Sequence, residues 1–148
     1  MSLFVIDPAS HSYVALRETG KHMVRRDAAG YYVYHSGGIT YLMHRVVFEL
    51  THGFCPEVID HKNGDKGDNR PENLRPATHT TNKWNVGVAS HNASGVKGLS
   101  WNSKRACWVG RVCHDGRVTQ RYSKDRAVVE SWLVYIRNKL HGEFANHG

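Results

Sequence analysis

The strongest constraint on the fold lies in the last third of the chain, where one hydrophobic period gives way to another. Residues 106–113 alternate as a strand does, with Trp108, Gly110 and Val112 on one face and Val109 and Arg111 on the other. His114-Asp115-Gly116 supplies an Asp-Gly hairpin turn, and residues 117–122 return as a second strand. Gly98-Leu99-Ser100-Trp101 reads as a strand ahead of both. Beyond them the apolar residues recur at Val128, Val129, Trp132, Leu133, Ile136 and Leu140, which is helical spacing. Ser123 or Asp125 caps that helix and Gly142 stops it. Three strands and one helix are the smallest set that can bury a sheet face. Trp108 is therefore read as core against Trp132.

The first half has a different texture. Residues 13–16 and 22–25 read as short strands around a turn at 18–20, and residues 31–34 and 39–42 as a second pair around Ser36-Gly37-Gly38. Together they predict a small antiparallel meander. Val46, Val47 and Leu50 then fit a short amphipathic helix ended by His52-Gly53. Val58-Ile59 is a brief strand that runs into Asp60-His61 and a polar loop from Lys62 to Asn73. Residues 78–85 fit a helix opened by a Thr cap, and the glycines and serine beyond it fit a linker. The expected class is α+β: an N-terminal β-meander with a two-strand-and-helix motif, a linker, then a three-stranded antiparallel sheet packed on one C-terminal helix.

With 148 residues the chain is long enough for one ordinary domain or two small ones. No apolar run approaches the ~18 residues of a membrane span. Met1 to Ile6 is too short, and lacks the basic head, for a secretory signal. Cys55, Cys107 and Cys113 are odd in number and show no Cys-x-x-Cys spacing, so they are read as free thiols of an intracellular protein. Charge divides the chain: residues 1–90 hold ten basic and nine acidic side chains, residues 91–148 ten and four. The excess of positive charge sits in the last 58 residues, where it attracts polyanions and gains affinity by releasing their counterions.

The loop after Asp60-His61 carries the candidate chemistry. A carboxylate (Asp60) and side-chain amide oxygens (Asn73, Asn82) are hard ligands suited to magnesium or manganese. A neutral histidine beside such an ion, not bound to it, is suited to deprotonating water. Phosphodiester hydrolysis needs a base, a metal and something to aim the base. Ordinary turns use the same residue types. A calcium loop from Asp65, Asp68 and Glu72 is a competitor, but no EF-hand pattern can be laid on these residues.

His44-Arg45, Val58-Ile59-Asp60-His61-Lys62-Asn63-Gly64-Asp65, Asp68-Asn69-Arg70-Pro71-Glu72-Asn73-Leu74-Arg75, Thr78 and Thr81-Asn82 together resemble the His-Asn-His endonucleases, closest to the phage and homing branch with Asn at the third position. The resemblance spans residues 41–85. It implies a ββα-metal site in which His61 is the general base, Asp60 and Asn82 hold the metal, and Asn73 braces the loop and helps aim the histidine. One divalent ion is implied, magnesium first, manganese as the alternative and zinc disfavoured by Asn82. His79 would graze the site, and His44 would fix the hairpin–helix junction or contact a phosphate.

Residues 94–101, 108–112 and 139–146 resemble the Apetala-two type DNA-binding domain, with Gln120-Arg121-Tyr122-Ser123 departing from the usual segment before the helix. In that family a three-stranded sheet lies in the major groove, backed by the helix. The resemblance makes Lys97, Trp101, Lys104, Arg105, Arg111, Arg117 and Arg121 the DNA-binding set. Arginine reads guanine in bidentate fashion and lysine more often holds phosphate. Between Asn92 and Lys124 Asp115 is the only acid, so solvation alone is a poor account of the basic residues.

The resulting expectation is a DNA endonuclease domain at 1–86 with its core at about 41–85, a linker at 87–93 and a DNA-binding domain at 94–148. Its partner is double-stranded DNA, with no membrane and no small-molecule cofactor. A monomer would nick, and a weak homodimer would be able to cut both strands. The family association implies a bacteriophage or mobile element in a bacterial cytoplasm. The alternatives are a DNA-binding regulator without nuclease activity and an RNA-binding protein, the latter disfavoured by the lack of an RNA-recognition aromatic motif.

Overall fold

The computed structural model describes residues 3–148. The chain divides into two compact units, Met1–Asn82 and Lys83–Gly148.

In the first unit β1 (Phe4–Ile6) pairs antiparallel with β2 (Val14–Leu16), and β3 (Val33–Ser36) with β4 (Ile39–Leu42). The expected meander is thus two separate two-stranded sheets. The stretch 22–25 contributes only an isolated bridge, His22 to Ala15, and Phe4–Ile6 takes the place beside β2. Phe4 explains the difference: it is buried against Tyr34 and Tyr41, whereas Val24 stays exposed. Helix α1 (Met43–His52) buries Met43, Val47 and Phe48, an i, i+4, i+5 stripe, and its C-cap Gly53 donates to Glu49 O.

β5 (Val58–His61) and β6 (Leu74–Ala77) form an antiparallel pair that sets Asp60 opposite Arg75 and His61 opposite Leu74. Helix α2 (His79–Trp84) follows at once. Thr78 caps it, accepting from Thr81 N at 3.1 Å, while Thr81 Oγ1 accepts from Thr78 N at 2.9 Å. Strand, strand and helix therefore form one local ββα element. Ile59 and Leu74 anchor it in the same core as Phe4, Met23, Met43 and Phe48.

The second unit has β7 (Leu99–Asn102), β8 (Cys107–His114) and β9 (Arg117–Ser123) in the order β7-β8-β9, all antiparallel, and helix α3 (Arg126–His141). Asp125 is the N-cap, its carboxylate accepting from Ala127 N. Val129 and Leu133 pack with Leu99 and Val112, and Trp108 and Trp132 flank them. Gly110 lets the helix come close: a Cβ there would lie 2.8 Å from Val129 and 3.0 Å from Trp132. Gly110 therefore marks the helix side of the sheet, and cross-strand pairing carries that side to Leu99, Trp101, Arg117 and Arg121. The opposite side holds Ser100, Arg111, Gln120 and Tyr122.

The division at Asn82/Lys83 falls before the boundary at 86 read from the sequence. The second unit holds the segment that follows: Trp84 stacks on His141 (4.5 Å between ring centroids) and His114 (4.9 Å). The Lys97 ammonium donates to the carbonyls of Trp84 and Val86, and Asn146 donates to Asn85 O. No helix among the described residues is long and apolar enough to cross a membrane.

Candidate active site and nucleic-acid interface

Asp60 and His61 close β5, and the polar loop follows them. Both are buried. Arg75, directly across the ladder, gives Nε (2.8 Å) and Nη2 (2.7 Å) to Asp60 Oδ2. A buried carboxylate needs such a partner to stay ionised.

His61 Nε2 lies 3.2 Å from Asn69 Oδ1. Asn69 is buried, and its Nδ2 donates to Ser12 O at 3.1 Å. That second bond orients the amide, since a carbonyl can only accept. Asn69 Oδ1 is then the acceptor and His61 Nε2 the donor, which puts the basic lone pair of the neutral ring on Nδ1. Burial lowers the His61 pKa, against the hydrogen bond to Asn69 and the charges of Asp60, Asp65 and Asp68, which raise it. Around the ring stand two aromatic neighbours, His44 edge-on at 5.3 Å and Tyr31 at 5.9 Å. His44 also packs on Tyr31 at 4.9 Å. Burial, then the neighbouring His61 and Arg45, push the His44 imidazole down to about 4, so it is neutral at pH 7 and its buried Nδ1 has no hydrogen-bond partner.

Asn73 spans the loop. Its Oδ1 accepts from Asn63 N, and its Nδ2 donates to Asn63 Oδ1 and Asp68 O. Asn73 thus ties the loop together, and the side chain hydrogen-bonded to His61 is Asn69. Asn69 has a turn-former's composition, and only its long-range bond to Ser12 sets it apart. Asp68 is engaged by Arg70 (2.7 and 2.8 Å) and Asn63, and the Arg70 hydrogen bond holds it down at about 2. Asp65 accepts from Gly67 N. These turn contacts account for Asp65 and Asp68, two of the three acids of the competing calcium loop. A Cβ on Gly67 would fall 2.2 Å from the Arg26 guanidinium, which would have to swing aside.

Asn82 sits on α2, half-buried, with its backbone N–H on Thr78 O and no side-chain hydrogen bond among the described residues. His79 is turned to solvent, 3.6 Å from Glu57, and takes no part in the His61 cluster.

In the second unit Arg111 and Gln120 are cross-strand partners on the side away from α3, both exposed. Arg111 donates to Ser100 Oγ, Tyr122 donates to Gln120 Oε1 at 2.6 Å, and the Arg105 guanidinium lies 4.9 Å over the Tyr122 ring. Lys104 is exposed in the same β7–β8 turn as Arg105. Arg117, Arg121 and Trp101 are on the helix side by register, so they do not share a face with Arg111. Lys97 is a correction. Its half-buried ammonium is spent on the Trp84 and Val86 carbonyls, and burial beside Arg137 pulls it down to about 8. It is a structural lysine, not a phosphate contact. Gln120, Tyr122 and Ser100 were not singled out in the sequence, because only the β7–β8 and β8–β9 registers assign them a face.

Residues 41–83, which span β4 to α2, match the HNH endonuclease family. That family defines a nuclease, a hydrolase acting on DNA, and its members generally use a divalent metal ion. The chain is also 38% identical over 104 residues to Protein 3.8 of Escherichia phage T7, across 69% of this chain and 86% of that protein. It belongs to the family of that phage protein and carries an HNH endonuclease domain. No solved structure matches it.

Among the described residues no three His, Cys, Asp or Glu side chains gather as a metal cage. The ββα element carries the Asp60 carboxylate, engaged by Arg75, and the Asn82 side-chain amide on α2.

Proposed function

We propose that the chain is a metal-dependent DNA endonuclease whose second unit binds duplex DNA and directs the cut. The observation that supports it most is the His61–Asn69–Ser12 chain, which leaves a buried, neutral imidazole with its lone pair on Nδ1.

In this reading His61 Nδ1 accepts a proton from the attacking water as that oxygen adds to phosphorus, and the bond from phosphorus to the leaving sugar oxygen breaks. Asn69 fixes the tautomer, and Asn73 keeps the loop in shape around it. Asp60 and Asn82 would hold one divalent ion, magnesium or manganese, which when bound supplies positive charge against the phosphate. Arg75 holds the Asp60 carboxylate in one orientation. Tyr31 and His44 wall the base from bulk water.

Targeting is assigned to the second unit, the Apetala-two type of the sequence reading. Arg111 and the Arg105–Tyr122 pair would meet base edges and backbone, and Lys104 phosphate, with Arg117 and Arg121 at the outer strand for flanking phosphates. The three-stranded sheet backed by α3 and the scarcity of acids there support this.

Supercoiled plasmid with magnesium is the test. The full chain should convert it to nicked or linear product, and a chelator should stop it. Duplex binding with no cleavage in magnesium or manganese would instead favour a DNA-binding regulator.

A further inference from the structure

Trp101 is 51% exposed, the least covered of the aromatic side chains on the sheet. The face it lies on is not the one that carries Arg111, Gln120 and Tyr122. A duplex lying on that opposite face leaves the indole unexplained. The side chain instead lines a cleft of about 570 Å³ along β7, with Trp108 and Ser100 on the strand side and His91, Asn92 and Ser94 on the other.

The cleft is built rather than incidental. Asn92 accepts from the Ser94 N–H and hydroxyl and donates to Val96 O, so the 92–96 wall is a closed turn. Arg126 donates to Ser94 O at 3.0 Å and sets its guanidinium 5.1 Å from the Trp108 ring, tying that wall to the aromatic floor. Trp101 meets Trp108 edge-on, 5.3 Å between centroids at 69°. That contact still leaves Trp101 51% exposed, with ring surface open to another partner.

We propose that this cleft takes an unpaired DNA base, stacked on Trp101. The inference rests on the DNA-binding reading of the second unit. A planar π-system is the natural partner of an open indole face, and stacking on an aromatic tolerates any base. A base inside a duplex has both faces covered, so the occupant is extrahelical or single-stranded. Charge agrees with a nucleotide. Arg111, hydrogen-bonded to the cleft's own Ser100, can meet the adjoining phosphate, and the exposed His91 imidazole and Ser100 hydroxyl offer polar contacts to a base edge. Such a site would favour nicked, frayed or bulged DNA over intact duplex.

The test uses the full chain with a chelator present to prevent cleavage, and three probes: a flush duplex, the same duplex with one extrahelical thymine, and oligothymidine. The bulged duplex should bind on the order of tenfold tighter than the flush one, as one stacked base predicts, and oligothymidine should quench tryptophan fluorescence. Trp101→Ala should bring the bulged-to-flush ratio to one, and Trp101→Phe should keep most of it. A wild-type ratio of one, or a ratio that survives Trp101→Ala, overturns the proposal while leaving duplex targeting intact. No binding to any of the three probes overturns the DNA-binding reading and this one with it. Should Trp101→Ala fold poorly, His91→Ala provides the second readout, with a reduced ratio expected and an unchanged ratio counting against the site.

Discussion

Arg75 stands directly across the β5–β6 ladder from Asp60 and places two donors on one carboxylate oxygen, at 2.7 and 2.8 Å. Both side chains are buried, so neither charge has ready access to water. Removing one partner takes two charge-assisted hydrogen bonds from the other, and breaking a buried pair usually costs about 3–5 kcal/mol. Arg75→Leu should therefore lower unfolding free energy by that order in chemical denaturation, and Asp60→Asn by a smaller amount. Replacing both with apolar residues should cost less than Arg75→Leu alone. A single replacement within a few tenths of a kcal/mol of wild type would show that the pair is not buried as described.

Asn69 is expected to control catalysis without touching the substrate. Asn69→Ala removes the acceptor that fixes His61 Nε2–H, and a hydrogen bond of this kind is worth about 1 kcal/mol, or ~5–10-fold in rate. Nitrogen NMR of His61 reads the cause directly: Nε2 protonated in wild type and a tautomer mixture in the variant. Unaltered nitrogen shifts would remove Asn69 from the mechanism.

Acid should destabilise the first unit earlier than carboxylate titration alone would. His44 titrates at about 4 folded against 6.5 unfolded. Below 6.5 the unfolded chain takes up a proton that the folded chain refuses. The neutral form's advantage is thus whole above about 6.5 and is lost as pH falls toward 4, worth roughly 3 kcal/mol at most. Burial pushes His61 the same way. Asp68 adds a lower window: held at about 2 against 3.8, it supports the fold above 3.8 and ceases to as pH drops through 2. Melting temperature against pH should fall between 6.5 and 4, and His44→Phe should flatten that slope.

Duplex affinity should fall steeply with salt, because several phosphate contacts release counterions. Arg111→Ala should cost about 1–3 kcal/mol at a preferred site and relax base preference there. Arg117→Ala should weaken all duplexes alike and reduce the salt slope. Anisotropy titrations at several salt concentrations separate the two. A flat salt response would contradict the basic-face assignment.

What the sequence disclosed follows from how far each signal reaches. The alternation of Trp108 to Val112, the Asp115-Gly116 turn and the helical spacing of Val129 and Leu133 are local, and the structure has β8, β9 and α3 where they predict them. Asp60-His61 at a strand end and the Thr78 cap are local as well. Asn69, Arg75, Tyr31 and Lys97 were not legible in their roles, because each acts through a partner distant in sequence: Asn69 through Ser12, Tyr31 through His44 and His61, Arg75 across the ladder and Lys97 through the Trp84 and Val86 carbonyls. Strand pairing also decided what composition could not, since the face of Arg117 and Arg121 depends on the β8–β9 register. The sequence grouped them with Arg111 in one DNA-binding set without a register for the third strand, and the pleat puts them on the other face.

The central claim is that His61 is the base of a phosphodiester hydrolase. Initial rates of supercoiled-plasmid nicking by wild type and His61→Ala, in magnesium and at matched duplex binding, test it most directly. Wild type should nick in a metal-dependent way, with a loss of ~10²–10⁴-fold in the variant, the usual worth of general base catalysis. Equal rates from the two proteins would contradict it.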